Sequence, residues 1–359
     1  MQRYLKRAKE LESEIVENRR KIHQFGGIGF DIQETSDFVF EKLQSYGLHP
    51  QRMCGTGIVC TIGSGGKTIL LRADMDALPI QEDTGFPFAC QNGTAHACGH
   101  DMHTAMLLAA AKMLSETQDE LKGTVKLMFQ PAEEALKGAT AMMEAGVLEN
   151  PKVDAAFAIH VTTGHENFPT GSIQYVRGVA FGACDMFRIT VKGKECHGAY
   201  PCRGIDPINI GSRIVTATQE LVSMELPATE EAVITFGKFH SGEASNIIPS
   251  EAVLDGTIRT LSKEARTLLK TRFKEIVEQT AATFRGQAIV EYPLETGFCI
   301  TDPDLFDQLK PTLCALAGEE MVQQIAPVNG SEDFGPISEI IPTVYVWMGA
   351  GTPSEGYPE

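Results

Sequence analysis

Val125-Lys126-Leu127-Met128-Phe129-Gln130-Pro131-Ala132-Glu133-Glu134 sets the terms on which the rest of this chain is read. Its first six residues have the apolar alternation of a strand. Pro131 lacks an amide hydrogen and cannot continue a central ladder, so the chain must leave the sheet there. Two adjacent carboxylates then stand at a strand's carboxyl end, where they are costly unless solvated or given a cation. Helical segments flank this strand, Thr104 to Leu114 before it and Gly138 to Ala145, closed by Gly146, after it. A further strand follows at Ala155 to Val161. Upstream, Gly57 to Ile62 and Thr68 to Asp74 read as strands joined by the turn Gly63-Ser64-Gly65-Gly66. From Met1 to about Leu48 the spacing of Leu5, Ala8, Leu11, Ile15 and Ile22, then of Phe38, Phe40, Leu43 and Tyr46, predicts helices. Alternating strands and helices predict an α/β fold, a mixed sheet flanked by helices.

The texture changes after residue 182. Phe187, Ile189 and Val191 alternate with polar residues, as in a strand with one wet face. A helix follows from Pro207 to about Leu221, capped by Asp206. Strands at Ala232 to Phe239 and Ala252 to Thr260, a helix from about Lys263 to Phe284 and a strand at Ala288 to Tyr292 complete β-α-β-β-α-β. That is the ferredoxin-like order. The sequence thus predicts an α+β domain over 183–293, inserted in a discontinuous larger domain of 1–182 and 294–359. A strand at Thr343 to Met348 returns to the first sheet.

At 359 residues and 43% hydrophobic content, the chain can bury substantial cores. Lys plus Arg number 31 against 47 Asp plus Glu, a formal charge of −16, which argues against nucleic acid and anionic membranes as partners. An anionic substrate would need a local cation. Nine cysteines at irregular spacing suggest free thiols in a reducing compartment. Met1 to Glu14 lacks the apolar core of a signal peptide, and no apolar run approaches the roughly 18 residues of a membrane span. A cytoplasmic location is expected.

Ala97-Cys98-Gly99-His100-Asp101-Met102-His103 packs four potential ligands just before an apolar helix. Cys98 and His100 lie two apart, and in an extended segment share one side. A thiolate and an imidazole suit zinc or a similar borderline metal. Asp101 and His103 read equally well as an N-cap and a polar helix-start residue. Next to a ligand, one carboxylate of Glu133-Glu134 would be free to take a proton from water. His160 stands near the end of an otherwise apolar strand, and Asp74 and Asp76 end another. In open α/β sheets sites gather outside the carboxyl ends of the strands, so three strand ends direct acids or imidazoles to one rim. In the inserted domain, His197 sits in a Gly-flanked loop. Asn246 offers an amide, and Arg259 a guanidinium able to hold a carboxylate bidentately. Two familiar patterns fail. Gly66-Lys67-Thr68 lacks the first glycine of a phosphate-binding loop and links two strands. No Gly-x-Ser-x-Gly elbow occurs in a strand-to-helix setting.

Together, Arg72 to Pro79, His96 to His103, Gln130 to Glu134, His160, Cys196 to Ala199, Asn246 to Pro249 and Ser331 to Phe334 resemble the M20 metallopeptidase family. The subgroup is that of hippurate hydrolases, auxin-conjugate hydrolases and N-acyl-amino-acid amidohydrolases. The matches run in family order over nearly the whole chain. The resemblance implies two divalent ions per chain, manganese or zinc, with cobalt or nickel as alternatives, bound by Cys98, His100, Glu134 and His160. It implies Glu133 as general base and proton shuttle, Asp76 as its support, and an N-acyl amino acid as the small-molecule substrate. It makes the inserted domain a lid and homodimerisation domain. His197 would reach the partner's site to stabilise the oxyanion, and Asn246 and Arg259 would contact substrate.

Two departures stand out. After His23-Gln24 the family's His-Pro-Glu is replaced by Phe25-Gly26-Gly27. The family's last ligand is a histidine in a His-Ser-Pro-like segment, and Gly351 to Glu359 reads as the approach to it. The expectation is therefore a truncated C-terminus or one under-ligated ion. An inactive or weakly active dimeric binding homologue is the alternative function. A Cys98 nucleophile assisted by a histidine is a third reading, one that leaves Glu134 and His160 without a role.

Overall fold

The computed structural model describes residues 2–357. Contacts divide the chain into two compact units. The first comprises Met1–Ala180, Cys299–Ala326 and Glu332–Glu359; the second comprises Phe181–Phe298 and Pro327–Ser331.

The first unit opens with helices α1 (Gln2–Glu10), α2 (Glu12–Phe25) and α3 (Gln33–Ser45). Strands β1 (Gln51–Met53), β2 (Gly57–Gly63) and β3 (Thr68–Asp74) follow, then α4 (His100–Ser115), β4 (Thr124–Gln130), α5 (Gly138–Glu144), β5 (Ala155–Thr163) and β6 (Ile173–Tyr175). The strand β4 ends at Gln130, one residue before Pro131, as the missing amide requires. Its one charged residue, Lys126, is buried, and its Nζ donates to the carbonyls of Val147, Glu149 and Pro151 at 2.9, 2.6 and 2.8 Å. An ammonium in a buried strand is tolerated because all three of its donors are used.

The second unit holds β7 (Ala183–Lys192), α6 (Pro207–Thr218), β8 (Ala232–His240), β9 (Glu251–Thr260), α7 (Lys263–Thr283) and β10 (Gln287–Thr296). Its sheet runs in the order β8-β9-β7-β10, with antiparallel neighbours throughout. The first and third strands of the unit lie central and the second and fourth at the edges, which is the ferredoxin-like arrangement. Asp206 caps α6 and Ser262 caps α7. Phe187, Ile189, Val191, Ile214, Leu254, Leu269 and Phe273 form one buried core. The unit extends past the expected 183–293 and recruits residues 327–331. There the Gly182 amide bonds the Val328 carbonyl at 3.1 Å, and Arg259 bonds the Asn329 carbonyl and the Ser331 hydroxyl.

The chain then returns to the first unit with α8 (Pro303–Ala317), β11 (Val322–Gln324) and β12 (Thr343–Gly351). The first sheet is eight-stranded and mixed, in the order β1-β2-β4-β3-β5-β12-β6-β11. The turn after β2 does not make a hairpin, because β4 lies between β2 and β3, antiparallel to one and parallel to the other. With β4 on one flank of β3 and β5 on the other, both parallel to it, the chain reverses direction across the sheet at β3. The carboxyl ends of these strands border the crevice where α/β folds place their ligands. No helix among the described residues is long and apolar enough to cross a membrane.

Candidate metal centre

Three segments of the first unit bring their side chains to one place. Cys98 and His100 come from the turn that opens α4, Glu133 and Glu134 from the turn after β4, and His160 from β5. Cys98 Sγ lies 3.4 Å from His160 Nε2. His100 Nε2 lies 3.9 Å from Glu133 Oε2 and 3.9 Å from Glu134 Oε1. Two overlapping groups, Cys98-His100-His160 and His100-Glu133-Glu134, each bring one ligand atom per residue within 4.8 Å of one another, sharing His100.

The local folding that aims these groups is specific. Gly99, between two candidate ligands, has φ +85°, a conformation that disfavours any residue with a Cβ. Ala132, just before Glu133, has φ +57° without being glycine, a strain characteristic of sites whose geometry is over-determined by their surroundings. Asp76 supplies part of that determination. Its Oδ1 accepts from the Glu133 amide at 3.0 Å and its Oδ2 from the Glu134 amide at 3.2 Å. Both of its oxygens accept backbone amides, so Asp76 fixes the chain that bears Glu133 and Glu134, and its Oδ1 also lies 3.6 Å from His100 Nδ1.

Beneath the centre lies a buried ionic network. Arg72 Nη1 is 2.6 Å from Asp74 Oδ2, and Nη2 is 2.7 Å from Glu332 Oε1 and 3.2 Å from Asp333 Oδ1. Gln130 donates to Asp333 at 2.6 Å, and the Tyr345 hydroxyl donates to Glu332 at 2.5 Å. Sequence reasoning gave Arg72, Glu332 and Asp333 no role. The available signals were a lone arginine inside an apolar strand and a second pair of adjacent acids before Phe334. Asp101 does not cap α4, whose cap position is Gly99. It sits inside the first turn, where its Oδ2 meets His23 Nδ1 at 2.8 Å and Arg19 Nε at 2.6 Å.

The electrostatics follow from burial and from these neighbours. Burial, reinforced by Glu332 and Asp333, raises the Glu133 carboxyl well above the ordinary range. Burial likewise raises Glu134 and the Cys98 thiol. Burial pushes His160 down to about 4, leaving a neutral imidazole. Burial opposes charge on His100, but Asp74, Asp76 and Cys98 outweigh it and set its pKa well above normal. Burial alone would raise Asp74, yet Arg72, His100 and His103 hold it well below the carboxylate range. A cation in the cluster would dominate these local fields, favouring thiolate, carboxylate and neutral imidazole.

The donors fit such a cation. His100 Nε2 and Glu134 Oε1 are buried and have no hydrogen-bond partner. Each unpaired buried polar atom costs about 1–3 kcal/mol, a cost removed when the lone pair binds an ion. Sulfur, imidazole nitrogen and carboxylate oxygen together suit zinc and its first-row neighbours.

The remaining expected site residues belong to the second unit. His197 and Asn246 stand together there: Cys196–His197 pairs with Ile247–Ile248, and the Gly198 amide donates to the Asn246 carbonyl at 2.7 Å. His197 is exposed, and its Nδ1 accepts from the Ala199 amide at 3.1 Å. Arg259 commits Nη1 to Asn329 and Ser331, while its Nε–Nη2 edge has no partner among the described residues.

Comparison with known proteins places this geometry in a lineage. The pattern of Peptidase family M20/M25/M40 matches residues 70–358. An N-acetyl-L-cysteine deacetylase of Bacillus subtilis is 37% identical over 346 residues, covering 94% of this chain and 81% of its own. The IAA-amino acid hydrolase ILR1-like 2 of Arabidopsis thaliana is 38% identical over 352 residues, covering 96% and 78%. Among solved structures, the YXEP protein of Bacillus subtilis, described as a dinuclear metal binding peptidase from the M20 family, superposes with a TM-score of 0.80. It is 32% identical, with 95% of this chain and 89% of that one covered. The chain therefore belongs to peptidase family M20/M25/M40 and is a hydrolase of its amidohydrolase subgroup.

Proposed function

We propose that this protein hydrolyses the amide bond of N-acyl amino acids, with two divalent ions held by Cys98, His100, Glu134 and His160 and with Glu133 as the general base. The observation that carries this reading is the buried, unpartnered His100 Nε2, 3.9 Å from both paired carboxylates. When bound, ions of this kind acidify water and polarise a carbonyl.

The chain's own groups do the rest. Glu133 accepts the proton of the attacking water on its carboxylate and hands it to the leaving amine nitrogen, so one group serves both halves of the reaction. Asp76 keeps Glu133 and Glu134 from drifting by holding their amides. We assign Arg259, through its open Nε–Nη2 edge, to the substrate carboxylate, with Asn246 beside the substrate and His197 as an oxyanion donor. The names of two relatives, a deacetylase of N-acetyl-L-cysteine and a hydrolase of IAA-amino acids, support an acylated amino acid as substrate. The second unit is assigned to homodimerisation and the protein to the cytoplasm; manganese or zinc is the expected metal.

The test separates binding from turnover. Glu133→Gln should retain the wild-type metal content, measured by elemental analysis, and lose about 10²–10⁴-fold in kcat on a panel of N-acyl amino acids. Wild-type turnover by that variant would remove Glu133 from its role. Metal-free wild-type protein with full activity would overturn the reading as a whole.

A further inference from the structure

Val161 is not a candidate ligand, yet the candidate ligands are registered on it. Its side chain lies against Gly99, where an added Cβ would come within 2.5 Å of Val161 Cγ2. The turn carrying Cys98 and His100 thus sits directly on this residue. Its carbonyl accepts from His160 Nδ1 at 2.7 Å. A carbonyl can only accept, so the proton is on Nδ1, and the His160 Nε2 lone pair faces Cys98 Sγ at 3.4 Å. The amide of Val161 donates to His103 Nε2 at 2.9 Å.

This last bond fixes the chemistry of His103. Because an amide can only donate, Nε2 accepts, and the ring proton lies on Nδ1, which donates to Asp74 Oδ1 at 2.5 Å. His103 is buried and its ring stands 4.7 Å from that of His160 and 5.4 Å from that of His100. With Asp74 and His100 it forms a group close enough to hold an ion. Both of its nitrogens are already engaged, however, so it has no lone pair to give. The topology explains why a side chain is needed here. The ladder between β3 and β5 stops at Arg72 opposite Ala158, and three residues farther along β5 the Val161 amide has His103 as its acceptor.

We propose that His103 is a positioning residue: through Val161 it holds the His160 ring and the Cys98–His100 turn in the geometry that receives metal. The proposal rests on the two-ion reading above. It goes beyond that reading by giving His103, which is not among those ligands, the task of aligning the residues that are.

Cobalt(II) titration of the full chain tests it, because a Cys98 thiolate–cobalt charge-transfer band and the cobalt d–d bands report ligand geometry apart from activity. His103→Asn keeps a donor for Asp74 but is too short to accept from Val161. His103→Gln extends far enough for its carbonyl to accept from that amide. We expect His103→Asn to bind the wild-type number of ions with shifted bands and affinity weakened about 10–100-fold, the range typical for groups that orient metal ligands. His103→Gln should recover most of the wild-type spectrum and affinity. Wild-type spectrum and affinity in His103→Asn would overturn the proposal. Loss of one ion per chain in both variants would also overturn it, by making His103 a ligand. If His103→Asn fails to fold by circular dichroism, His103→Gln decides alone: a near-wild-type spectrum supports the proposal and a lost ion refutes it. Wild-type protein that binds no cobalt, zinc or manganese would instead sink the two-ion reading, and the positioning role with it.

Discussion

His23 shows how far a single residue's partners can lie from it in sequence. Its Nδ1 meets Asp101 at 2.8 Å and its Nε2 meets Glu82 at 3.0 Å, tying α2 to the start of α4 and to the loop after β3. Burial disfavours the imidazolium, but the two carboxylates outweigh it, and the pKa is raised. A folded pKa above the unfolded value of about 6.5 gives stability that is complete below 6.5 and fades as pH rises through the folded value. The gap in urea stability between wild type and His23→Gln should therefore be widest near pH 6 and narrow towards pH 9. A gap that is flat or grows with pH would show that the ring folds neutral. At this scale the sequence was legible where chemistry announces itself. Cys98, His100, Glu133, Glu134 and His160 are ligand types set in turns or in an otherwise apolar strand, and they do converge. His103 and Arg72 were not legible, because their roles depend on which backbone or carboxylate lies opposite, and no local pattern encodes that. Gly26 has a reason visible only in three dimensions. A Cβ there would meet Thr94 Oγ1 at 2.0 Å and Cys90 Sγ at 2.8 Å.

The turn from β4 to α5 carries Glu133 and Glu134 and is closely held. The Ala132 amide is held by the Gly29 carbonyl at 3.1 Å, the Ala132 carbonyl receives the amides of Lys137 and Gly138, and the Glu133 carbonyl receives that of Leu136. Gly138 closes the turn: a Cβ at this position would lie 1.7 Å from the Pro131 carbonyl oxygen and 2.9 Å from Gln130 Nε2. Gly138→Ala must therefore displace the segment that carries Glu133 and Glu134. A shift of about 1 Å at reacting groups can cost on the order of 10²-fold. We expect a kcat loss of that order with the second unit's circular dichroism unchanged; full activity would mean the turn has slack. The elements were easier to read than their neighbours. Pro131 marked the end of β4 and Asp206 the start of α6. The start of α4 at His100 was hidden, because its first turn is polar and serves the site instead of the core. The Gly63–Gly66 turn was legible as the link between β2 and β3, but strand order is set by long-range pairing, and β4 lies between them.

On the scale of the molecule, the two units carry separate cores, and only the first contains the candidate ligands. That separation can be measured because the chain has a single tryptophan. Trp347 is buried on β12, in register with His160 on the neighbouring strand, so its fluorescence follows the unfolding of the first unit. Metal bound only by the folded protein stabilises it by about 2.7 kcal/mol at a free concentration 100 times Kd. For a unit of this size that corresponds to a midpoint shift of about 5–10 °C. Adding a strong chelator should lower the fluorescence midpoint by that amount. Far-UV circular dichroism should then resolve a second component, from the ferredoxin-like unit, whose midpoint stays in place. If fluorescence and circular dichroism midpoints fell together, the two units would be unfolding as one, and metal at the first would be stabilising the whole chain. If neither moved, Cys98, His100, Glu134 and His160 would not be holding an ion that matters to the fold. The unpaired buried His100 Nε2 and Glu134 Oε1 would then need another explanation.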